Sequence, residues 1–195
     1  MMGDTIQALE QKLDALAEHP DLRVKIDLLN ELARALFRVN LDRSYQLSLE
    51  AERLLADFPY PAGQAACFLN LASALVGKGE FQQALEYGKA GLALCERLGL
   101  QEILPGIVGI LGWIYQRLGH RDVALEYYQR QYQVAQDLDD KVSQANALSN
   151  MSVVFGSSGD RHAAIDTLQE ALALYKALGD DTEYSGNGLQ VTGGL

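Results

Sequence analysis

Three stretches of the chain decide its fold: GEFQQALEYGKAGLALCERLG from Gly79 to Gly99, GHRDVALEYYQRQYQVAQDLD from Gly119 to Asp139, and GDRHAAIDTLQEALALYKALG from Gly159 to Gly179. They share one pattern, and their leading glycines stand 40 residues apart. A period of this length is typical of arrays in which one small structural unit is stacked repeatedly. The sequence therefore predicts a repeat architecture, and such arrays usually present a surface to a partner.

The spacing of apolar residues predicts α-helices throughout and no strands. A capping segment, residues 1–20, contains a helix over 4–18 that His19 and Pro20 end, because proline cannot continue a helix. Four helix pairs follow, at residues 21–60, 61–101, 102–140 and 141–182. The helices expected within them are 21–39 and 42–57, 62–77 and 81–97, 104–117 and 121–137, and 141–156 and 161–177.

The turns between helices carry residues that suit a left-handed or capping backbone. Glycine adopts the left-handed conformation easily, and Gly79, Gly119 and Gly159 each follow the first helix of a pair. Asn40 stands at the equivalent place in the first pair, where asparagine is the next-best residue. Asp139 and Asp140 are interpreted as helix-start acids that interact with the positive end of the helix dipole.

Small residues recur at two positions of the repeat and predict close helix packing. They are Ala33, Ala72, Gly112 and Ser152 in the first helices, and Ser44, Ala84, Ala124 and Ala164 in the second helices. Small side chains allow two helix backbones to approach, while the larger apolar residues around them fill the space between ridges.

The end of the sequence departs from this pattern. Residues 183–195 are rich in glycine, and each glycine weakens a helix by about 1 kcal/mol relative to alanine. This segment is predicted to be either a degenerate start of a fifth repeat or a loose tail. Because arrays need a polar cap, the expectation is a fragment of a longer protein or an end protected by self-association.

Composition restricts the partners and the compartment. The formal net charge of −10 disfavours nucleic acid and anionic membranes, which need clustered Lys and Arg. The sequence shows neither a membrane-length apolar run nor a basic-then-apolar secretory signal, so a cytoplasmic protein is predicted. Cys67 and Cys95 are accordingly expected to be buried thiols rather than a disulfide.

These positions resemble the tetratricopeptide repeat, which favours a large residue, Leu, a small residue and Tyr in the first helix, then Ala and an aromatic residue in the second. The third pair shows the pattern best, with Leu111, Gly112, Tyr115, Ala124 and Tyr128. The resemblance covers residues 21–180. It implies an all-α, right-handed α-solenoid of antiparallel helix pairs, with about four repeats plus the N-terminal helix. The 40-residue period is similar to that of kinesin light chains and of bacterial signalling proteins.

In this family the first helix of each pair lines a concave groove that holds a peptide or helix of a partner. The family's groove positions correspond here to Asn30, Arg34, Phe37, Leu69, Asn70, Ser73, Gly109, Trp113, Gln116, Asn146, Asn150 and Val153. In family members, asparagine at the place of Asn70 and Asn150 hydrogen-bonds the main chain of a bound peptide. The alternative is a local cap or a solvated residue. For Trp113, a binding hot spot competes with packing against the next repeat.

The sequence does not favour an enzyme. The histidines His19, His120 and His162 stand apart from any set of metal-ligand spacing, and no Gly-rich phosphate loop occurs, so neither a metal nor a cofactor is expected. The favoured function is a protein–protein interaction scaffold, the sensory or docking module of a larger bacterial signalling protein. The alternatives are self-assembly as a homodimer or other homo-oligomer, and a receptor for a small ligand or signal peptide.

Overall fold

The computed structural model describes residues 2–16 and 21–179, which form nine α-helices and no strand. The helices are α1 (Met2–Ala15), α2 (Leu22–Leu36), α3 (Leu41–Asp57), α4 (Pro61–Lys78), α5 (Phe81–Leu98), α6 (Leu104–Arg117), α7 (Arg121–Asp137), α8 (Lys141–Ser157) and α9 (Arg161–Ala177). The all-α class is confirmed. The predicted helix end at His19 and Pro20 and the predicted segment 183–195 lie outside the described residues.

Two compact units make up the chain, and the division falls between Ile103 and Leu104. The first unit contains α1 to α5, and the second contains α6 to α9. In the described part of the chain, no helix combines the length and the apolar character that a membrane crossing requires.

From α4 onward, every helix is followed by a residue in the left-handed conformation, and these residues stand 20 apart. Their φ angles are 82° at Gly79, 65° at Gly99, 85° at Gly119, 52° at Asp139, 86° at Gly159 and 74° at Gly179. A left-handed residue ends a helix by satisfying its last carbonyls and turning the chain. The 40-residue period is therefore two equal halves, each a helix with its turn.

The structure corrects the prediction for two turn residues. Asn40 is extended at φ −150° and begins α3, where its side-chain oxygen accepts a hydrogen bond from the Arg43 N–H at 3.0 Å. The reason is that α2 already ends at Leu36, so residues 37–39 make the turn. Asp139 is not a helix-start acid, since the half-period places it in the left-handed turn. Asp140 alone caps α8, by accepting from the Ser143 N–H at 3.0 Å.

The left-handed backbone at Asp139 predicts a stabilising substitution. A residue with a Cβ is strained at positive φ, whereas glycine is not. The ion pair of Asp139 with Lys141 (2.7 Å) has side chains that are 84% and 46% exposed, and such pairs contribute little. We expect Asp139→Gly to raise the free energy of unfolding by about 1 kcal/mol in urea titrations. The control Gln136→Gly, inside α7, should lower it by a similar amount, and a loss of stability at both sites would contradict the strain.

Each unit has its own apolar core. In the first, a cluster from α2, α3 and α4 includes Leu32, Leu47 and Leu71, which are 0%, 1% and 0% exposed, and Leu9 of α1 packs on it. The second cluster joins α7, α8 and α9 around Tyr128. Of the small repeat positions, all are buried except Ala164 in α9, which is half-buried.

The two cysteines are free and buried, as predicted. The Cys67 thiol donates to the Ser48 carbonyl at 3.3 Å, and burial raises the pKa of this thiol to about 12. It is therefore protonated at neutral pH and unreactive as a nucleophile.

Candidate functional site

The predicted groove residues lie on the first helices of the pairs, and they divide equally between the units. The first unit carries Asn30 and Arg34 on α2, Phe37 directly after α2, and Leu69, Asn70 and Ser73 on α4. The second unit carries Gly109, Trp113 and Gln116 on α6, and Asn146, Asn150 and Val153 on α8. Each set forms a surface of its own unit.

In the first unit, Asn70, which was predicted to bind the main chain of a peptide, and Asn30, a second groove residue, bond to the protein itself. Asn30 and Asn70 are 6% and 8% exposed. The Asn70 side-chain amide donates to the main-chain carbonyl of Asn30 at 3.0 Å and to its side-chain oxygen at 3.3 Å. The Asn30 amide in turn donates to the Gly63 carbonyl at 3.0 Å. These bonds form a ladder of amides that joins α2 to α4.

The other residues of this set differ in how much they offer to a partner. The Ser73 hydroxyl is buried and donates to the Leu69 carbonyl at 2.8 Å. The Leu69 and Phe37 side chains are half-buried, and Arg34 is exposed. The surface of α2 and α4 therefore presents two apolar side chains and one cation, while its amides are engaged internally.

In the second unit, α6 is shaped to fit α7. A Cβ added to Gly109 would lie 2.5 Å from the amide nitrogen of Gln131, and one added to Gly112 would lie 2.7 Å from a ring carbon of Tyr128. The Tyr128 hydroxyl donates to the Gln116 side-chain oxygen at 2.7 Å. Gly109 and Gln116, both predicted for the groove, thus make contacts between helices.

Burial sets the protonation state of the Tyr128 phenol. This side chain is 0% exposed, and desolvation raises the pKa of its hydroxyl well above the ordinary value for tyrosine. The phenol is therefore neutral at physiological pH and is a permanent hydrogen-bond donor to Gln116.

Three buried side-chain atoms have no hydrogen-bond partner in the described part of the chain, and they are spread over three helices. They are the indole nitrogen Nε1 of Trp113 on α6, the side-chain oxygen Oε1 of Gln131 on α7 and the hydroxyl of Ser149 on α8. Asn150 is 7% exposed, and the described residues give its amide no hydrogen bond. Buried polar groups in proteins are nearly always bonded, so such exceptions suggest a missing water or ligand.

The repeat explains why Asn150 differs from Asn70. The residue one period before Asn70 is Asn30, which accepts its hydrogen bonds, whereas the residue one period before Asn150 is Ile110, which has no polar side chain. The amide ladder is therefore missing in the second unit. This difference is visible in the sequence once positions 30 and 110 are compared.

We call Trp113, Asn146, Ser149, Asn150 and Val153 the α6/α8 face. Its four members on α8 follow the i, i+3, i+4, i+7 spacing that places side chains on one side of a helix. Trp113 and Val153 are half-buried, and the Asn146 side-chain oxygen accepts from the Tyr175 hydroxyl at 2.6 Å. Ser149 also falls at a groove position of the family's pattern, and its hydroxyl has no hydrogen-bond partner in the described residues.

The described residues contain no group of three or more His, Cys, Asp or Glu side chains that could hold a metal ion. His120 precedes α7 as an exposed residue, and its ring stands edge-on to Tyr115 with ring centres 6.2 Å apart.

Two tetratricopeptide repeat models match the chain, at residues 64–98 and 109–177, which together exceed half its length. No curated protein sequence gives a significant match.

Several solved structures share the fold. A Rap protein complexed with competence and sporulation factor is 14% identical with a TM-score of 0.82, over 90% of this chain and 50% of that one. Kinesin light chain repeats from Podospora anserina are 17% identical with a TM-score of 0.63, over 91% and 88%. The Pyrococcus horikoshii signal transduction ATPase with a tetratricopeptide repeat sensor is 15% identical with a TM-score of 0.69, over 86% and 26%. These identities establish the fold alone, and the chain spans half the length of the Rap protein.

Proposed function

Because the chain belongs to the tetratricopeptide repeat family, we propose that it is a protein–protein interaction scaffold whose α6/α8 face binds an extended segment of a partner protein. The proposal assigns it no catalytic role. It includes the narrower role of a sensory or docking module within a bacterial signalling system.

The observation that carries the proposal is that the α6/α8 face combines the half-buried ring of Trp113 with the Asn150 amide, to which the described residues give no hydrogen bond. A peptide main chain alternates N–H donors and carbonyl acceptors, and the Asn150 amide supplies both complements. The half-buried ring of Trp113 offers a large apolar contact for a side chain of the partner. A partner segment would therefore bond to an amide that the described residues leave without a hydrogen bond.

Two of the structural relatives support the signalling part of the proposal. The repeat region of the Pyrococcus horikoshii ATPase is named a sensor, and the Rap protein was solved in complex with competence and sporulation factor. The Rap complex also supports the receptor alternative, in which the ligand of the same face is a signal peptide.

The test is selection of binding peptides from a random display library on the purified full chain, followed by calorimetry with the best peptide. We expect Trp113→Ala to weaken binding about tenfold or more, because buried tryptophans dominate interface energies. Asn150→Ala should weaken it about fivefold through lost main-chain hydrogen bonds.

The matched control is Gln129→Ala on the exposed side of α7, which should leave the Kd unchanged. Circular dichroism of each variant checks that the helices remain. If selected peptides bind the Trp113 and Asn150 variants as tightly as the parent, the α6/α8 face is not the binding surface. If no peptide is selected, recognition of an extended segment is refuted.

A further inference from the structure

Asn146 is a polar residue of the α6/α8 face that a neighbouring helix holds in one orientation. Its side-chain oxygen accepts a hydrogen bond from the Tyr175 hydroxyl of α9 at 2.6 Å, and Tyr175 is 6% exposed within the apolar cluster of the second unit. Because the phenol holds the oxygen, the amide nitrogen is the group left for a partner, and the described residues give it no hydrogen bond. The half-buried Asn146 therefore offers a hydrogen-bond donor on this face.

The bond between Tyr175 and Asn146 is an addition that the repeat does not need. One and two periods earlier, the place of Asn146 is taken by Gly106 and Ala66, and one period before Tyr175 stands Ala135. Neither glycine nor alanine has a polar side chain, so the helix pairs of the second and third repeats form without this bond. The pair is therefore better explained by what Asn146 binds than by the packing of the array.

Asn146 and Asn150 stand one helical turn apart on α8. Four residues of an α-helix rise about 6 Å, and two residues of an extended chain span about 6.6 Å. Carbonyl groups two residues apart in an extended chain also point to the same side. Two amides at this spacing therefore match two carbonyls of an extended segment that runs along α8, whereas a helical partner bonds most of its carbonyls internally.

The two helices of the face carry little charge. Within the described residues, their only charged side chains are Arg117 at the end of α6 and Lys141 at the start of α8, and Lys141 pairs with Asp139 at 2.7 Å. The acidic residues that the structure describes in the second unit lie on α7, on α9 and in the turns. A charged side chain of a partner would lose its hydration against this face without gaining a counter-charge.

We propose that the segment bound by the α6/α8 face is extended and uncharged, that it runs along α8, and that Tyr175 orients Asn146 to hold its main chain. This rests on the binding function proposed above and specifies the ligand of the same face. Tyr175 acts through Asn146 and is a positioning residue.

The first test is a double-mutant cycle, measured by calorimetry with the full chain and the peptide selected on it. We expect Tyr175→Phe to weaken binding about fivefold in the parent, because the Asn146 amide is no longer fixed, and to have no effect in the Asn146→Ala background. The matched control Tyr87→Phe removes the phenol bond to Glu52 in the first unit and should leave the Kd unchanged. An unchanged Kd for Tyr175→Phe, or equal weakening in both backgrounds, would overturn the positioning role.

The second test concerns the charge and the conformation of the bound peptide. We expect the Kd to change by less than about twofold between about 0.05 and 0.5 M NaCl, since a contact without charges is not screened by salt. An aspartate or a lysine placed at the centre of the peptide should each weaken binding about tenfold or more. A Kd that rises steeply with salt would overturn the uncharged segment, and helical Cα chemical shifts in an isotope-labelled bound peptide would overturn the extended one.

These outcomes separate the nature of the ligand from the binding function itself. Weaker binding by the Trp113→Ala variant together with a salt-dependent Kd would retain the face and refute its uncharged ligand. If no variant of the face weakens binding, or if no peptide is selected, both proposals fail.

Discussion

Replacing Tyr128 by alanine is expected to lower the free energy of unfolding of the second unit by about 3–5 kcal/mol, the cost typical of deleting a buried aromatic side chain. This ring is the largest fully buried side chain in the described residues. It lies against the bare backbone of Gly112 and packs in the cluster of α7, α8 and α9. Its removal would leave a cavity among three helices, and it would also remove the hydrogen bond to Gln116. Urea unfolding followed by circular dichroism measures the loss.

Tyr128→Phe separates the hydroxyl from the ring. It retains the packing and removes only the bond to Gln116, so we expect a loss of about 1 kcal/mol. A loss of the same size for Phe and Ala would mean that the hydrogen bond, and not the packing of the ring, determines stability at this site.

Gly112 provides a second check on the same contact. The effect of Gly112→Ala on the free energy of unfolding should have opposite signs in the presence and in the absence of the Tyr128 ring. In the parent, a Cβ at position 112 lies too close to the ring, and Gly112→Ala should cost about 1–3 kcal/mol through overpacking. In the Tyr128→Ala background the clash is absent, and the same change should stabilise by about 1 kcal/mol through helix propensity. Equal effects in both backgrounds would show that the two residues are not coupled.

The bounds of the helices could be predicted accurately from the sequence, because the pattern that indicates them recurs in every repeat. Apolar spacing and turn glycines recur every 40 residues, so errors at one repeat are corrected by the next, and α6, α7 and α9 have the predicted bounds. The first pair lacks a turn glycine, and there the prediction extended α2 by three residues, to 39 instead of Leu36. The left-handed state of Asp139 was missed since aspartate also starts helices, and only the half-period distinguishes the two roles.

The candidate site was less predictable because the state of a polar side chain depends on its neighbour one repeat away. The pattern gives Asn70 and Asn150 the same position. Asn70 is bonded to Asn30, one period earlier, whereas the residue one period before Asn150 is the apolar Ile110. Similarly, Gly109 occupies a groove position, but Gln131 of α7 fills the space that a side chain at position 109 would occupy. The pattern of a single repeat does not show which side chains meet across helices. A comparison of successive repeats shows the difference between Asn70 and Asn150.

Two asparagines of equal burial therefore allow a comparison in one protein. Asn30 and Asn150 are 6% and 7% exposed, and both lie within first helices of their pairs. Asn30→Ala removes the donor to the buried Gly63 carbonyl and one acceptor of the Asn70 amide. The Asn70 amide keeps its bond to the Asn30 main-chain carbonyl, so only these two bonds are lost. At about 0.5–1.5 kcal/mol for each bond, we expect the first unit to lose about 1–3 kcal/mol.

Asn150→Ala should behave differently, because no hydrogen bond from the described residues is lost and alanine is the better helix former. We expect its free energy of unfolding to change by less than about 0.5 kcal/mol, or to increase. An amide that contributes nothing to the fold and has no hydrogen bond from the described residues is better explained by an external partner than by packing. Equal losses of stability for the two variants would mean that Asn150 holds helices together as Asn30 does, and would remove the amide from the proposed binding face.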